Sequence, residues 1–283
     1  NSVVASMLFG QIIIILMGIL VNLATIDATI TLDPGGHLAH ALAAGALAWL
    51  QIIYAAFIVL IDGVLLLDCG PDSLHQASAA GIALAAGNDI VLNGGSLTSQ
   101  GAIGLSAGTD GSGSVDVGVA TGGGDAIDTA STLDITAADN IRVSGGLRAL
   151  DRVAMGAGVG LHLATGSTLS SGAQTVLTAG ADIAVDGLVE SAGAIGMVAT
   201  GAITLDAHAR VRSSADGIAL ASGNDLQLNG GSLSVALGDL MLQAGGDIVV
   251  SAGSIGAAAG SVALSADGAV RLAGGSVSSL SGI

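Results

Sequence analysis

The basic residues of this chain are few, and they limit the chemistry it could perform. All six are arginine, and Arg142, Arg148 and Arg152 form one cluster in the sequence. They could lie on one edge of neighbouring strands and bind an acidic surface, or serve as solubilising charges. Hydrolysis of a polysaccharide would need paired carboxylates with basic or aromatic subsites, and no aromatic residue follows Phe57.

The histidines do not complete a catalytic or metal-binding set. His37 and His40 could share one face of a helix, but no third metal ligand accompanies them. The sequence also has no Gly-x-Ser-x-Gly nucleophile motif. We therefore predict no catalytic residue and no enzyme activity. The five histidines are scattered at His37, His40, His75, His162 and His208.

Aspartate recurs one residue before the apolar residue that opens a predicted strand. A column of such carboxylates would give the protein an acidic face. Aspartate also favours turns, because its side chain hydrogen-bonds to its own backbone, and this second interpretation is the stronger one. The positions are Asp89, Asp182, Asp225 and Asp247.

One stretch has the composition of a calcium-binding turn. Residues Gly122 to Asp128, with Asp110 and Asp116 nearby, are similar to the Gly/Asp-rich nonapeptides that bind calcium in β-rolls. Such sites need the motif in tandem, and here it occurs once. Turn-forming Gly and Asp in an exposed loop is the favoured interpretation, so we predict no metal site and no cofactor.

The overall composition excludes other classes of protein. The chain is 51% apolar and only 1% aromatic, with 46 glycines, so its core must consist of small aliphatic side chains. A net charge of -16 argues against nucleic acid as a partner. The single cysteine, Cys69, excludes an internal disulfide framework.

Residues 1–76 form a strongly apolar segment with two possible structures. No charged residue occurs between Asn1 and Ile26, or between Pro34 and Ile61. Each run could cross a bilayer as a helix, which would place residues 1–61 in contact with a membrane. The run of β-branched residues from Ile12 to Ile15 suits buried strands equally well.

Residues 77–283 contain an internal repeat. The segment Gly81–Thr98 recurs at Gly217–Ser234, with 14 of 18 positions identical and an offset of 136 residues. Between the copies, apolar residues that open short alternating strands recur over 180 residues in eight steps, an average of 22.5. These anchor residues are Ile90, Val115, Ile141, Leu161, Ile183, Ile203, Leu226, Ile248 and Val270.

A period near 22 residues with three short strands per unit predicts an all-β fold, a parallel β-helix (β-solenoid). Its inward positions would stack as ladders of Ile, Leu, Val and Ala. Glycine is expected at the corners because it adopts positive φ without strain. Two wide steps bracket residues 107–128, which we interpret as a loop inserted in two successive coils.

The repeats resemble those of a known family. The runs Gly217–Leu226 and Gly238–Ile248 are similar to the repeats of filamentous haemagglutinin-type adhesins, and the resemblance covers about residues 79–283. It implies a right-handed parallel β-helix exported by two-partner secretion through an outer-membrane transporter. The segment Gly10–Leu20 is similar to the Gly-Gln and Gly-Ile-Leu parts of the family's secretion domain, whose Asn-Pro-Asn motif is missing here.

These features predict a structural or adhesive rod, secreted or displayed on a bacterial cell surface. It would contact a host or neighbouring cell and associate with further copies of itself as an oligomer or filament. The alternative function is a membrane-anchored surface protein with two N-terminal transmembrane helices and an external β-solenoid.

Overall fold

Each repeat of about 22 residues folds into one coil of a parallel β-solenoid. The computed structural model describes residues 59–61, 64–67 and 81–281, and it places nine coils there. The described chain is all β, without helices, and it contains no helix that could span a membrane. Before the first coil, β1 (Val59–Ile61) and β2 (Val64–Leu67) pair antiparallel. The strand β2 also pairs in parallel with β4 (Ile90–Gly94), the second strand of the first coil.

The strands form three series, one for each side of the coil. The first series is β3 (Gly81–Ala86), β6 (Ala102–Ala107), β9 (Leu133–Ala137), β12 (Val153–Ala157), β15 (Thr175–Ala179), β18 (Ile195–Ala199), β21 (Ile218–Ser222), β23 (Leu240–Ala244) and β25 (Val262–Ala266). The second is β4 (Ile90–Gly94), β7 (Val115–Ala120), β10 (Ile141–Val143), β13 (Leu161–Leu163), β16 (Ile183–Val185), β19 (Ile203–Leu205) and β26 (Val270–Leu272).

The third series is β5 (Leu97–Ser99), β8 (Asp125–Thr129), β11 (Gly146–Ala149), β14 (Thr168–Ser171), β17 (Leu188–Ser191), β20 (Arg210–Ser213) and β27 (Ser276–Ser279). Two longer strands, β22 (Leu226–Val235) and β24 (Ile248–Ala257), continue from the second series into the third. The outer surfaces of the three series are called the first, second and third faces.

The predicted period is confirmed by the strand register. Each anchor residue pairs with the next one along the solenoid, from Ile90 with Val115 through to Ile248 with Val270. Because side chains alternate along a strand, this register directs the same columns inward in every coil. The anchors from Ile90 to Ile248 are buried, and together with other small aliphatics they form one continuous core.

Hydroxyl side chains replace aliphatic ones where the third strands end. Ser171 and Ser191 are buried, and the Ser171 hydroxyl donates to Ser191 Oγ at 2.9 Å. Ser191 and Ser213 in turn donate to the carbonyls of Ala173 and Gly193, at 3.0 and 2.8 Å. These bonds satisfy carbonyl groups in the turn that leads from each third strand to the following coil.

Glycine occupies the corners for two different physical reasons. Positive φ explains some positions, such as Gly166 at 81° in the turn between β13 and β14. The φ of Gly158 and Gly180 is not positive. There a Cβ would overlap the backbone carbonyl oxygen of the residue stacked below, on Ala138 and Gly158 respectively. Close approach of the coils therefore requires glycine at these two corners.

The wide repeat steps come from two turns of a single coil. The second coil has seven residues, 108–114, between its first two strands, where the third coil has three, 138–140. It also has a four-residue turn, 121–124, before β8. The structure therefore places the extra residues of 107–128 in one coil instead of two, and that segment also contains β7 and most of β8.

Candidate functional site

The aspartates that precede the second strands connect neighbouring coils. Each carboxylate accepts a hydrogen bond from a backbone N–H at the equivalent position of the next coil, 22 residues on in the case of Asp225. The four bonds are Ser114 N–H to Asp89 at 2.7 Å, Ala202 to Asp182 at 2.7 Å, Asp247 to Asp225 at 2.9 Å and Ala269 to Asp247 at 2.8 Å. The aspartates lie in turns, as predicted, but the N–H group that donates to each carboxylate belongs to the next coil and not to the aspartate's own turn.

Two further aspartates each accept more than one hydrogen bond from a neighbouring coil. The backbone N–H and hydroxyl of Ser261 both donate to Asp239 Oδ1 at 2.8 Å. These bonds stabilise the carboxylate and lower the pKa of Asp239. A hydrogen bond from Thr165, followed by donors from His208 at 3.0 and 3.1 Å, lowers the pKa of Asp186.

These lowered pKa values predict a loss of stability in acid. Both carboxylates bind protons less readily in the folded chain, so their contribution is complete above the ordinary pKa of 3.8. As the pH falls below 3.8, the unfolded chain takes up protons first, and the contribution disappears on reaching the folded pKa. Melting temperatures measured at intervals from about pH 5 to about pH 2.5 should fall less steeply for Asp186→Asn/Asp239→Asn than for the wild type.

The matched control for this prediction is Asp267→Asn, because the Asp267 side chain forms no hydrogen bond in the described part of the chain. Its melting curve should keep the wild-type dependence on pH. Equal slopes for the double variant and the wild type would contradict the assignment.

The residues of the possible calcium turn lie apart from one another. Asp110 belongs to the turn before β7, Asp116 lies on the second face, and Asp128 lies on the third face. Asp128 is already paired with Arg148 at 3.2 Å. The described residues contain no group of three or more His, Cys, Asp or Glu side chains that could hold a metal ion.

The cluster Arg142, Arg148 and Arg152 is likewise dispersed. Arg142 lies on β10 and Arg148 on β11, while Arg152 lies in the turn before β12. Arg142 and Arg148 therefore lie on the second and third sides of one coil, and Arg152 lies in the corner that leads to the next coil. Arg152 pairs with Asp134 at 2.7 Å, and both its pair and that of Arg148 are solvent-exposed. Such pairs contribute little to stability.

The remaining site candidates are divided between the described residues and the rest of the chain. His162 is exposed on β13, and His208 contacts Asp186. His37, His40, His75 and Cys69 lie outside the described residues, as do the residues of 1–76 other than those of β1 and β2.

The third face carries a basic pair that the sequence prediction missed. Arg210 and Arg212 alternate along β20, with buried Val211 between them, so both side chains point outward. Neither forms an ion pair or hydrogen bond within the described residues. The two backbone positions are about 7 Å apart on the strand. The signal was present in the sequence as Arg-Val-Arg, because a spacing of two keeps residues on one face of a strand.

These arginines line an open groove of about 750 Å³. Register places Arg210 next to Ser232 and Arg212 between Glu190 and Ser234. Glu190, Leu188 and the two serines also line the groove. A smaller hollow of about 210 Å³, lined in part by Ser170 and Ser214, shares Glu190 and Arg212 with it.

The groove combines charged and hydroxyl groups suited to contact with a polar partner. Guanidinium groups bind carboxylate and phosphate oxygens through paired N–H donors. The neighbouring serine hydroxyls can both donate and accept hydrogen bonds. On a chain with a net charge of -16, two unpaired arginines side by side give the third face a local positive region. We refer to these residues as the arginine groove.

Comparison of the chain with protein-family models, curated proteins and solved structures finds no match in any of the three.

Proposed function

We propose that this chain is a structural and adhesive rod of a secreted or cell-surface protein, and that the arginine groove contacts the partner surface. The observation that supports this most directly is the stacking of nine coils around one continuous core. The resemblance of the repeats to adhesins of the filamentous haemagglutinin type favours the same role.

A stacked solenoid can provide the length and stiffness that an adhesive rod needs to contact a partner. Each coil bonds to its neighbours through backbone ladders on all three sides. Aspartate side chains add bonds at the corners, as between Asp182 and Ala202. Since every coil contacts only the coils next to it, length can increase by repetition without a change of fold. The proposed role needs no catalytic residue and no cofactor.

Contact would come from the arginine groove and the acidic groups of a host or neighbouring cell. Within the described residues, the side chains of Arg210 and Arg212 form no ion pair or hydrogen bond. Binding of a partner therefore need not break an existing ion pair there. Charged contacts of this type orient a partner and increase its rate of association.

Adhesion of the full chain can be measured with beads that carry it at fixed density. We expect these beads to be retained under flow on cultured epithelial cells or on bacterial cells, compared with uncoated beads. Arg210→Ser/Arg212→Ser should lower retention at least roughly tenfold, because arginine is enriched among the residues that dominate interfaces and a loss of about 1.4 kcal/mol already corresponds to a factor of ten. Serine already occupies the equivalent positions of the next coil, at Ser232 and Ser234, so the fold tolerates it there.

The matched control is Arg142→Ser, which removes an exposed arginine from the second face. It should leave retention unchanged. Equal retention for the groove variant and the wild type would rule out the groove as the contact site. A wild type retained no better than uncoated beads would refute the adhesive role itself.

Secretion by the two-partner route and a position at the outer membrane are part of the same proposal. The export partner would be an outer-membrane transporter of the two-partner type, and a gene for one next to the gene of this chain would support this part of the proposal. Self-association with further copies, as an oligomer or filament, also belongs to the proposed role.

A further inference from the structure

The first face differs from the other two because it is almost free of charge. Its outward positions form two columns of nine residues, one from Ala83 to Ala263 and the other from Ala85 to Ser265. Nearly all are Ala, Gly, Ser, Thr or Val, and the single charged residue is Asp134, which is paired with Arg152. The second and third faces carry aspartates and arginines.

The first face is also large enough to bind another protein. Nine strands spaced by about 4.8 Å give a length of about 40 Å, and the two outward columns give a width of about 15 Å. A partner that covered this surface would bury about 600 Å² on each side, or about 1,200 Å² in total, which reaches the lower limit of stable interfaces.

The bulkiest side chains of the face and two of its glycines are related by symmetry. Val198 and Met241 project from it with 52% and 54% of their surface exposed. Gly104 and Gly156 lie in the same columns as Met241 and Val198 respectively. At Gly104 no atom lies within 4 Å of the place where a Cβ would be.

A two-fold axis along β15, the fifth of the nine strands, brings these positions together. It places the eighth strand of one copy on the second strand of the other, so that Met241 faces Gly104. It also places the sixth strand on the fourth, so that Val198 faces Gly156. Val176, on the axis, faces its own counterpart, and Asp134 faces Ala219 instead of another charge.

We propose that a second copy of this chain packs on the first face, sheet against sheet, with the two solenoids antiparallel. The interface is isologous, since the same surface is used by both copies. It is the one face among the described strands where two copies of a strongly acidic protein meet without opposing like charges. The inference rests on the self-association included in the proposed function, and it identifies the surface that serves it.

Sedimentation velocity of the full 283-residue chain tests the surface. The wild type should sediment with twice the mass of one chain. Val198→Lys/Met241→Lys should halve that mass, because the interface would then bury lysine charges opposite glycines, which offer no side chain to pair with them. The control Thr204→Lys/Val249→Lys adds the same charges on the second face and should leave the dimer intact. All three should keep their circular dichroism spectra.

A dimer that persists in Val198→Lys/Met241→Lys would overturn the proposed surface but leave self-association standing. A wild type that remains a monomer would overturn both, including the case in which another segment of the same chain covers the face. Neither result bears on the arginine groove, which lies on the third face.

Cross-linking tests the antiparallel arrangement, with Cys69→Ser as the background. A short bis-maleimide should join a chain carrying Gly104→Cys to one carrying Met241→Cys, and should join two chains carrying Val176→Cys. Met241→Cys alone should give no cross-linked dimer. Efficient cross-linking of Met241→Cys with itself would show that the two copies run in the same direction and would overturn the proposed symmetry.

Discussion

Replacing Leu163 with Ala is expected to lower the free energy of unfolding by about 3–5 kcal/mol. Leu163 is completely buried, and the register stacks it between Val143 and Val185. Both neighbours are β-branched and stiff at χ1, so they cannot turn to fill the cavity. The cost should therefore lie in the upper part of the range for Leu→Ala. Urea denaturation followed by circular dichroism measures it.

The matched control is the same substitution at an exposed leucine. Leu150 lies in the turn after β11 with 49% of its surface exposed. Leu150→Ala should change the free energy of unfolding by no more than about 0.5 kcal/mol. Equal losses at the two positions would mean that the ladder of inward side chains does not determine stability.

The second large effect is expected at a corner glycine. Gly180→Ala should lower the free energy of unfolding by about 1–3 kcal/mol, because the added methyl group overlaps the Gly158 carbonyl oxygen of the preceding coil. The oxygen belongs to the backbone, so relief requires the two coils to separate locally. Thermal and urea denaturation both report the loss.

Gly196→Ala provides the contrast. Gly196 lies on β18, its φ is not positive, and no atom lies within 4 Å of the position of the added Cβ. Alanine should be neutral there or raise stability by up to about 1 kcal/mol, because it restricts the unfolded chain. If both glycines tolerated alanine equally, close approach of the coils would not explain the corner position.

The fold could be predicted from sequence because one period governs it. Apolar residues at intervals near 22 specify which residue stacks on which, and every predicted anchor from Ile90 to Val270 pairs with its neighbour. The reason for glycine at the corners could not be obtained in the same way. Composition cannot distinguish a positive φ, as at Gly166, from a lack of space, as at Gly180.

The partners of charged residues were less predictable, since they lie one coil away in sequence. Asp182 bonds to Ala202, and Arg148 pairs with Asp128, each 20 residues distant. Spacings of six and four, as in the cluster from Arg142 to Arg152, cross corners and separate the residues. Within one short strand, a spacing of two, as between Arg210 and Arg212, keeps two side chains on one face.

The register of the coils also determines how local the folding problem is. Paired residues on neighbouring coils are separated by 20 to 30 residues, as for Ile183 with Ile203 and Leu97 with Ile127. A typical separation of 22 is less than a tenth of the 283-residue chain. All-β proteins usually have high contact order, because they pair strands distant in sequence. This chain closes only short loops, so once one coil has formed, each further coil can add to it in turn.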